Sequence, residues 1–122
     1  MKAKVGVLVL ALLEDDYNKT AHVRPMAQAV ADKIDGIIGK FADVICPKLV
    51  ENEDQAEEAA RMFNGAGVDL IVAVEVAYTK GIVPTRCFLN TTAPVLVWNT
   101  QQIEALPEDA DFDLIMVNSG MC

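Results

Sequence analysis

The sequence has one histidine, one tryptophan and three cysteines, and each scarcity closes off a class of chemistry. With His22 as the sole imidazole, neither a three-histidine metal site nor a hydrolytic triad is readily assembled. The residue reads instead as a polar side chain near a helix start. Cys46, Cys87 and Cys122 form neither an even set nor a CxxC pair, so no disulfide framework or zinc knuckle is indicated. They read as reduced thiols, mostly buried. Long apolar runs are also missing. The longest, residues 5–13, falls well short of the roughly 20 residues of a membrane helix and runs into Glu14, Asp15 and Asp16. No membrane span is predicted. Residues 1–4 and that run have the outline of a signal peptide but no small-residue cleavage site, and the segment serves better as a first strand of a cytoplasmic protein.

Positive charge is in short supply: 10 basic against 18 acidic residues give a formal charge of -8. That balance opposes phosphate backbones and anionic membrane surfaces, so nucleic acid is not an expected partner. The loop after the first strand has no glycine and carries three acids, which suits it poorly to the amide nest a phosphate requires. Mononucleotides, dinucleotides and flavin phosphate are disfavoured. Internal repeats and low-complexity tracts are absent.

Aliphatic material is abundant. The chain is 52% apolar with a mean hydropathy of +0.27, enough to fill the single core expected of 122 residues. Residues 5–13 lack the alternation of a one-faced strand and fit a strand covered by helices on both sides. Arg24 and Pro25 open a helix in which Met26, Val30, Ile34, Ile37, Ile38 and Phe41 recur at helical spacing. A second strand spans residues 42–46 and stops at Pro47. Asn52 with Gln55 then forms a capping pair for a helix that buries Ala56, Ala59, Ala60 and Phe63. Gly65 and Gly67 end that helix.

A third strand follows over residues 69–76, with Glu75 the one charge near its end. A third helix is expected around residues 80–89, interrupted by Pro84, and a fourth strand over 94–98 leads into Asn99, Thr100, Gln101 and Gln102. Residues 111–122 read equally as a fifth strand or as an opening helical turn. The pattern predicts one α/β domain over residues 1–122. It is a three-layer Rossmann-like or flavodoxin-like fold with a parallel sheet of four strands, five if the last segment is extended. The strand order is 2-1-3-4, with helices on both faces.

In such a sheet ligands sit at the carboxyl ends of the strands, where the order reverses. That rule selects residues 14–24, 75–80 and 99–102. Glu14, Asp15 and Asp16 invite comparison with the magnesium site of a receiver domain, but the third strand offers Glu75 in place of an aspartate and no lysine-bearing fifth strand follows. A solvated acidic loop is the simpler reading. Trp98 and Cys46 read as core or edge packing. Tyr17, Asn18, Arg24, Tyr78, Thr79, Lys80, Asn99, Thr100 and Gln101 bring neutral donors and acceptors, aromatics and two cations to one edge, a mixture suited to a polyhydroxylated ligand.

The order of motifs in residues 4–9, 16–20, Arg24-Pro25, 42–47 and 68–72 with Tyr78 resembles the N-terminal domain of the L-fucose and L-arabinose isomerase superfamily. The likeness continues through residues 93–101, 105–107 and 118–122, and so covers essentially the whole chain. The resemblance implies an aldose-ketose isomerase of carbohydrate metabolism that uses manganese (Mn2+) and acidic residues to move hydrogen between adjacent sugar carbons. The catalytic carboxylates and metal ligands of that family lie in later domains, so this chain carries no catalytic or metal-ligating residue and is not catalytic alone.

What the resemblance assigns to an N-terminal domain is a homo-oligomer contact and one wall of a neighbouring subunit's sugar pocket. It matches Tyr17 and Arg24 to the first loop, Tyr78 to the loop after the third strand, Gln101 to the fourth, and Asn118 and Ser119 to a further pocket segment that opens a helix. In arabinose-type members a histidine stands near where Cys122 falls. Two other classes remain as alternatives: a lobe of a periplasmic-binding-protein-like sugar module, and a receiver-like regulatory domain.

Overall fold

A computed structural model describes residues 2–11, 23–46, 49–101 and 103–111. The elements in chain order are β1 (Lys4–Leu10), α1 (Val23–Ile38), β2 (Asp43–Ile45), β3 (Leu49–Val50), α2 (Glu53–Ala66), β4 (Leu70–Glu75), α3 (Ile82–Phe88) and β5 (Val95–Trp98). All strand pairings are parallel. The chain is α/β, with α1 on one face of the sheet and α2 and α3 on the other.

The two layers of core follow from the pleat of β1. Successive side chains of a strand point to opposite faces. Val5, Val7, Val9 and Ala11 therefore meet Ala27, Ala31 and Ile34 of α1 together with Val72, Val74 and Val76. Leu8 and Leu10 meet Ala56, Ala59, Ala60 and Phe63 of α2, Val83 and Cys87 of α3, and Ile71 and Ala73 of β4. Gly6 falls on the α2 side, and its bareness is a packing requirement. A Cβ built there would lie 2.7 Å from the Phe63 ring.

Helix α2 is bounded by local chemistry. The Asn52 side chain accepts from the Gln55 N–H at 2.9 Å, and Gln55 Oε1 accepts from the N–H of Glu51 at 2.7 Å. The reciprocal bond thus reaches one residue further back than an ordinary capping box. At the other end Gly67 adopts a left-handed conformation (φ 65°, ψ 52°), and the Val68 N–H closes onto the Phe63 carbonyl at 3.2 Å. Gly65 lies inside the helix.

Several expectations are corrected. Among the described residues the sheet has five strands: the four expected ones stand in the expected order, now numbered β2-β1-β4-β5, and an unforeseen fifth, β3, also pairs β1. After residues 46–48 the chain returns to pair Val9 with Leu49 and Leu10 with Val50, because the upper half of β1 still offers backbone groups on that side. A two-residue strand is too short to show periodicity. Of the segment 111–122, foreseen as a fifth strand or helical turn, all but Asp111 lies outside the described residues, as does Pro47, the expected stop of the second strand.

Pro84 does not interrupt α3. It occupies the third position of Ile82–Phe88, and Pro25 stands likewise third in α1, positions whose N–H has no partner within the helix. Phe41, expected on the buried stripe of the first helix, lies beyond its end and is 75% exposed. Ala27 and Ala31 take its place in the core. The last strand is not a covered one. Among the described residues β5 pairs only with β4, and Leu96 is 53% and Val97 69% exposed, because neither α1 nor the short α3 extends over it.

Candidate functional site at the strand ends

The sheet order reverses between β1 and β4, so the crevice rule points to the residues just past Leu10 and Glu75. The floor there is tightly packed. The Val76 N–H donates to the Leu10 carbonyl at 3.0 Å, and Ala11, Val76 and Ala77 are fully buried. Tyr78 then emerges 42% exposed, Thr79 turns inward at 1%, and Lys80 is exposed. The Thr79 hydroxyl is buried with no hydrogen-bond partner among the described residues. Glu75 closes β4 as a buried residue, 6% exposed. It shares the face of Ile71 and Ala73, the α2 and α3 side.

The end of β5 is tied to this floor. Thr100 donates its hydroxyl hydrogen to the Glu75 carbonyl at 2.9 Å, which sets the segment after Trp98 beside the segment after Glu75. Tyr78, Thr79 and Lys80 thus follow one strand end, and Asn99, Thr100 and Gln101 follow the strand beside it. Gln101 secures its own loop, its amide donating to the carbonyls of Ile103 at 2.9 Å and Glu104 at 3.4 Å. It also shares a cavity of about 300 Å³ with Val30, Lys33, Ile34 and Ile37 of α1 and with Trp98, Asn99 and Thr100.

Arg24 is otherwise employed. Its Nη2 approaches Glu51 Oε1 to 2.7 Å, an ion pair whose angles fall outside those of a hydrogen bond. The contact joins the first turn of α1 to the residue after β3. Of the six residues expected to line a pocket, then, Tyr78 and Gln101 extend from neighbouring strand ends and Arg24 sits at the α1 terminus. Tyr17, Asn118 and Ser119 lie outside the described residues, as do Asn18, His22 and the acids Glu14, Asp15 and Asp16. Lys33 was not foreseen. Its one signal in the sequence is a lysine set between Val30 and Ile37 on the apolar side of α1, a placement shared by many lysines that merely border a core.

Two other groups have altered acidity. Burial raises the Asp35 carboxyl above its ordinary value. A hydrogen bond from the Cys46 thiol opposes the rise, and the nearby charge of Asp32 adds to it. Burial pushes the Cys87 thiol up to about 11, so it remains protonated and unreactive at neutral pH. Cys46 is half-buried and, like Cys87, forms no disulfide. Trp98 is half-buried against the α1 layer of the core, though it also lines the cavity.

Among the described residues no group of three His, Cys, Asp or Glu side chains is placed to hold a metal ion, and no helix is long and apolar enough to cross a membrane. The sequence matches no family model, and comparison with curated proteins produced no match.

Proposed function

We propose that this chain is the N-terminal, substrate-lining and oligomer-forming domain of an L-fucose/L-arabinose isomerase-like aldose-ketose isomerase in the cytoplasm. The observation that carries the reading is the Thr100–Glu75 tie. It fixes the end of β5 to the end of β4, so that Tyr78 and Lys80 follow one strand and Asn99 and Gln101 the strand beside it, an arrangement that supports the reading drawn from the resemblance in motif order. Neutral amides, a hydroxyl and an aromatic ring suit a sugar, whose hydroxyl groups both donate and accept and whose C–H face stacks on a ring. Arg24, held by Glu51, acts in this reading as a support of the rim. Tyr17, Asn118 and Ser119 would complete the wall.

Manganese supplies the Lewis-acid chemistry of the complete family enzymes. The described residues do not fit it, so no step through the metal is assigned to this chain. The competing receiver-like reading needs an accessible carboxylate at the end of the strand after the switch point, whereas Glu75 is buried on the side of α2 and α3.

The reading is tested by titrating the isotopically labelled chain with L-fucose and L-arabinose while following amide shifts. Shifts confined to residues 78–80 and 99–101, weakened about fivefold by Tyr78→Ala, the scale of one lost contact, are expected. No shift at those residues with sugar in large excess would remove the proposal. Purified alone, the chain should isomerise neither sugar even with manganese added, and measurable turnover would show that the chemistry is not elsewhere.

A further inference from the structure

The cavity between α1 and the end of β5 shares Asn99, Thr100 and Gln101 with the strand-end rim, and it adds Trp98 and the α1 face with Lys33, none of which belongs to that rim. Lys33 lies nine residues along α1 from Arg24, about 13 Å down the helix axis, and Arg24 is not among the residues that line the cavity. Its volume of about 300 Å³ is at the small end of ligand pockets, the size range of a single sugar ring. One wall is aliphatic, from Val30, Ile34 and Ile37, and Trp98 adds an indole.

The polar atoms of this cavity are unevenly divided. Thr100 spends its hydroxyl hydrogen on the Glu75 carbonyl, and Gln101 spends its amide hydrogens on Ile103 and Glu104. What these two leave for a ligand are acceptors: the Thr100 oxygen and Gln101 Oε1. Asn99 adds an amide. Acceptors of this kind recognise hydroxyl groups.

The remaining group is a cation. Lys33 has no ion-pair partner among the described residues. The helix positions one turn away, Ala29, Val30, Gly36 and Ile37, hold no acid to pair with it. In a chain of formal charge -8, a lysine without an acidic partner at the edge of an apolar cavity is a local exception to the field of the molecule.

We propose that this cavity binds a small hydroxylated anion, a monosaccharide-sized molecule bearing one carboxylate or phosphate. The anion is set on Lys33, the hydroxyl groups on Asn99, Thr100 and Gln101, and the ring between Trp98 and the aliphatic face of α1. The site does not depend on the isomerase reading, which concerns neutral sugars at the rim.

Trp98 is the only tryptophan in the chain, so its emission reports on this cavity directly. The 122-residue chain is titrated with D-glucuronate and with D-glucose 6-phosphate, and in parallel with D-glucose and inorganic phosphate. The expected result is a saturable emission change for at least one of the two hydroxylated anions, at about tenfold lower concentration than either control, the scale of one charge-assisted hydrogen bond. Whichever anion responds identifies the acidic group.

Lys33→Gln should weaken that binding about tenfold and Lys33→Arg should retain most of it. Circular dichroism confirms that both variants are folded. Absence of saturation with both anions, equal binding of D-glucose or of inorganic phosphate, or an unchanged affinity in Lys33→Gln would each overturn the proposal. None of these outcomes bears on the amide shifts of residues 78–80 with L-fucose or L-arabinose.

Discussion

Asp35 shows how one side chain ties stability to pH. Its carboxylate is partly withdrawn from water between α1 and the segment after β2. One oxygen, Oδ1, is buried without a hydrogen-bond partner among the described residues. Burial disfavours the charged form, so its pKa in the folded chain lies above the ordinary value near 3.8. The folded state therefore binds a proton more tightly than the unfolded chain, and this contribution to stability is fully present below that ordinary value. It is lost as pH rises through the raised folded value. Asp35→Asn removes the charge and keeps an acceptor for the Cys46 thiol. The variant should melt higher than the parent at pH 7, with the gap closing as the pH is lowered toward 3; equal melting curves at both ends of this range would refute the assignment.

Gly6 and Phe63 form the second residue-scale test. A methyl group at Gly6 would press on a fully buried ring, and overpacking of this kind costs about 1–3 kcal/mol. Gly6→Ala should lower the urea midpoint. Combined with Phe63→Leu it should cost less than the sum of the two single changes, because the second change removes the obstructing ring. Strict additivity would place the strain elsewhere.

At the scale of elements, α2 and β5 are opposites. Helix α2 has its boundaries written locally: Asn52 and Gln55 at its start, Gly67 at its end, and alanines with Phe63 on its inner face. These were readable in sequence because capping and helical periodicity depend on neighbours within a few residues. Asn52→Ala should cost about 1 kcal/mol in chemical denaturation, the usual value of an N-cap.

Strand β5 was equally readable as a strand, but its environment was not. Val95, Leu96 and Val97 look like interior residues, and they become exposed because the order β2-β1-β4-β5 leaves them at the rim of the sheet. The four-residue strand carries no charge, so it lacks the usual protection against edge pairing. If the proposed oligomer forms through this edge, sedimentation velocity should show concentration-dependent association. Val97→Lys should then shift the distribution toward monomer. A chain that remains monomeric at high concentration would count against that interface.

For the whole molecule, sequence and structure divide along the distance over which each feature is decided. The sequence by itself determined the α/β class, the runs that become β1, α1, β2, α2, β4, α3 and β5, the order of those four strands, the capping of α2 and its buried face. Apart from the strand order, these rest on local hydrogen bonding and on the spacing of apolar residues, which are properties of contiguous chain. Tertiary structure alone decided that Leu49 and Val50 rejoin β1, that Ala27 and Ala31 rather than Phe41 complete the α1 core, and that Leu96 and Val97 of β5 are exposed. It alone engaged Arg24 with Glu51, joined Thr100 to Glu75, and set Lys33 across a cavity from Trp98. Residues 33 and 98 are far apart in the chain, and no periodicity links them. They meet because two crossovers return the chain to a sheet whose register fixes which side chains share a face.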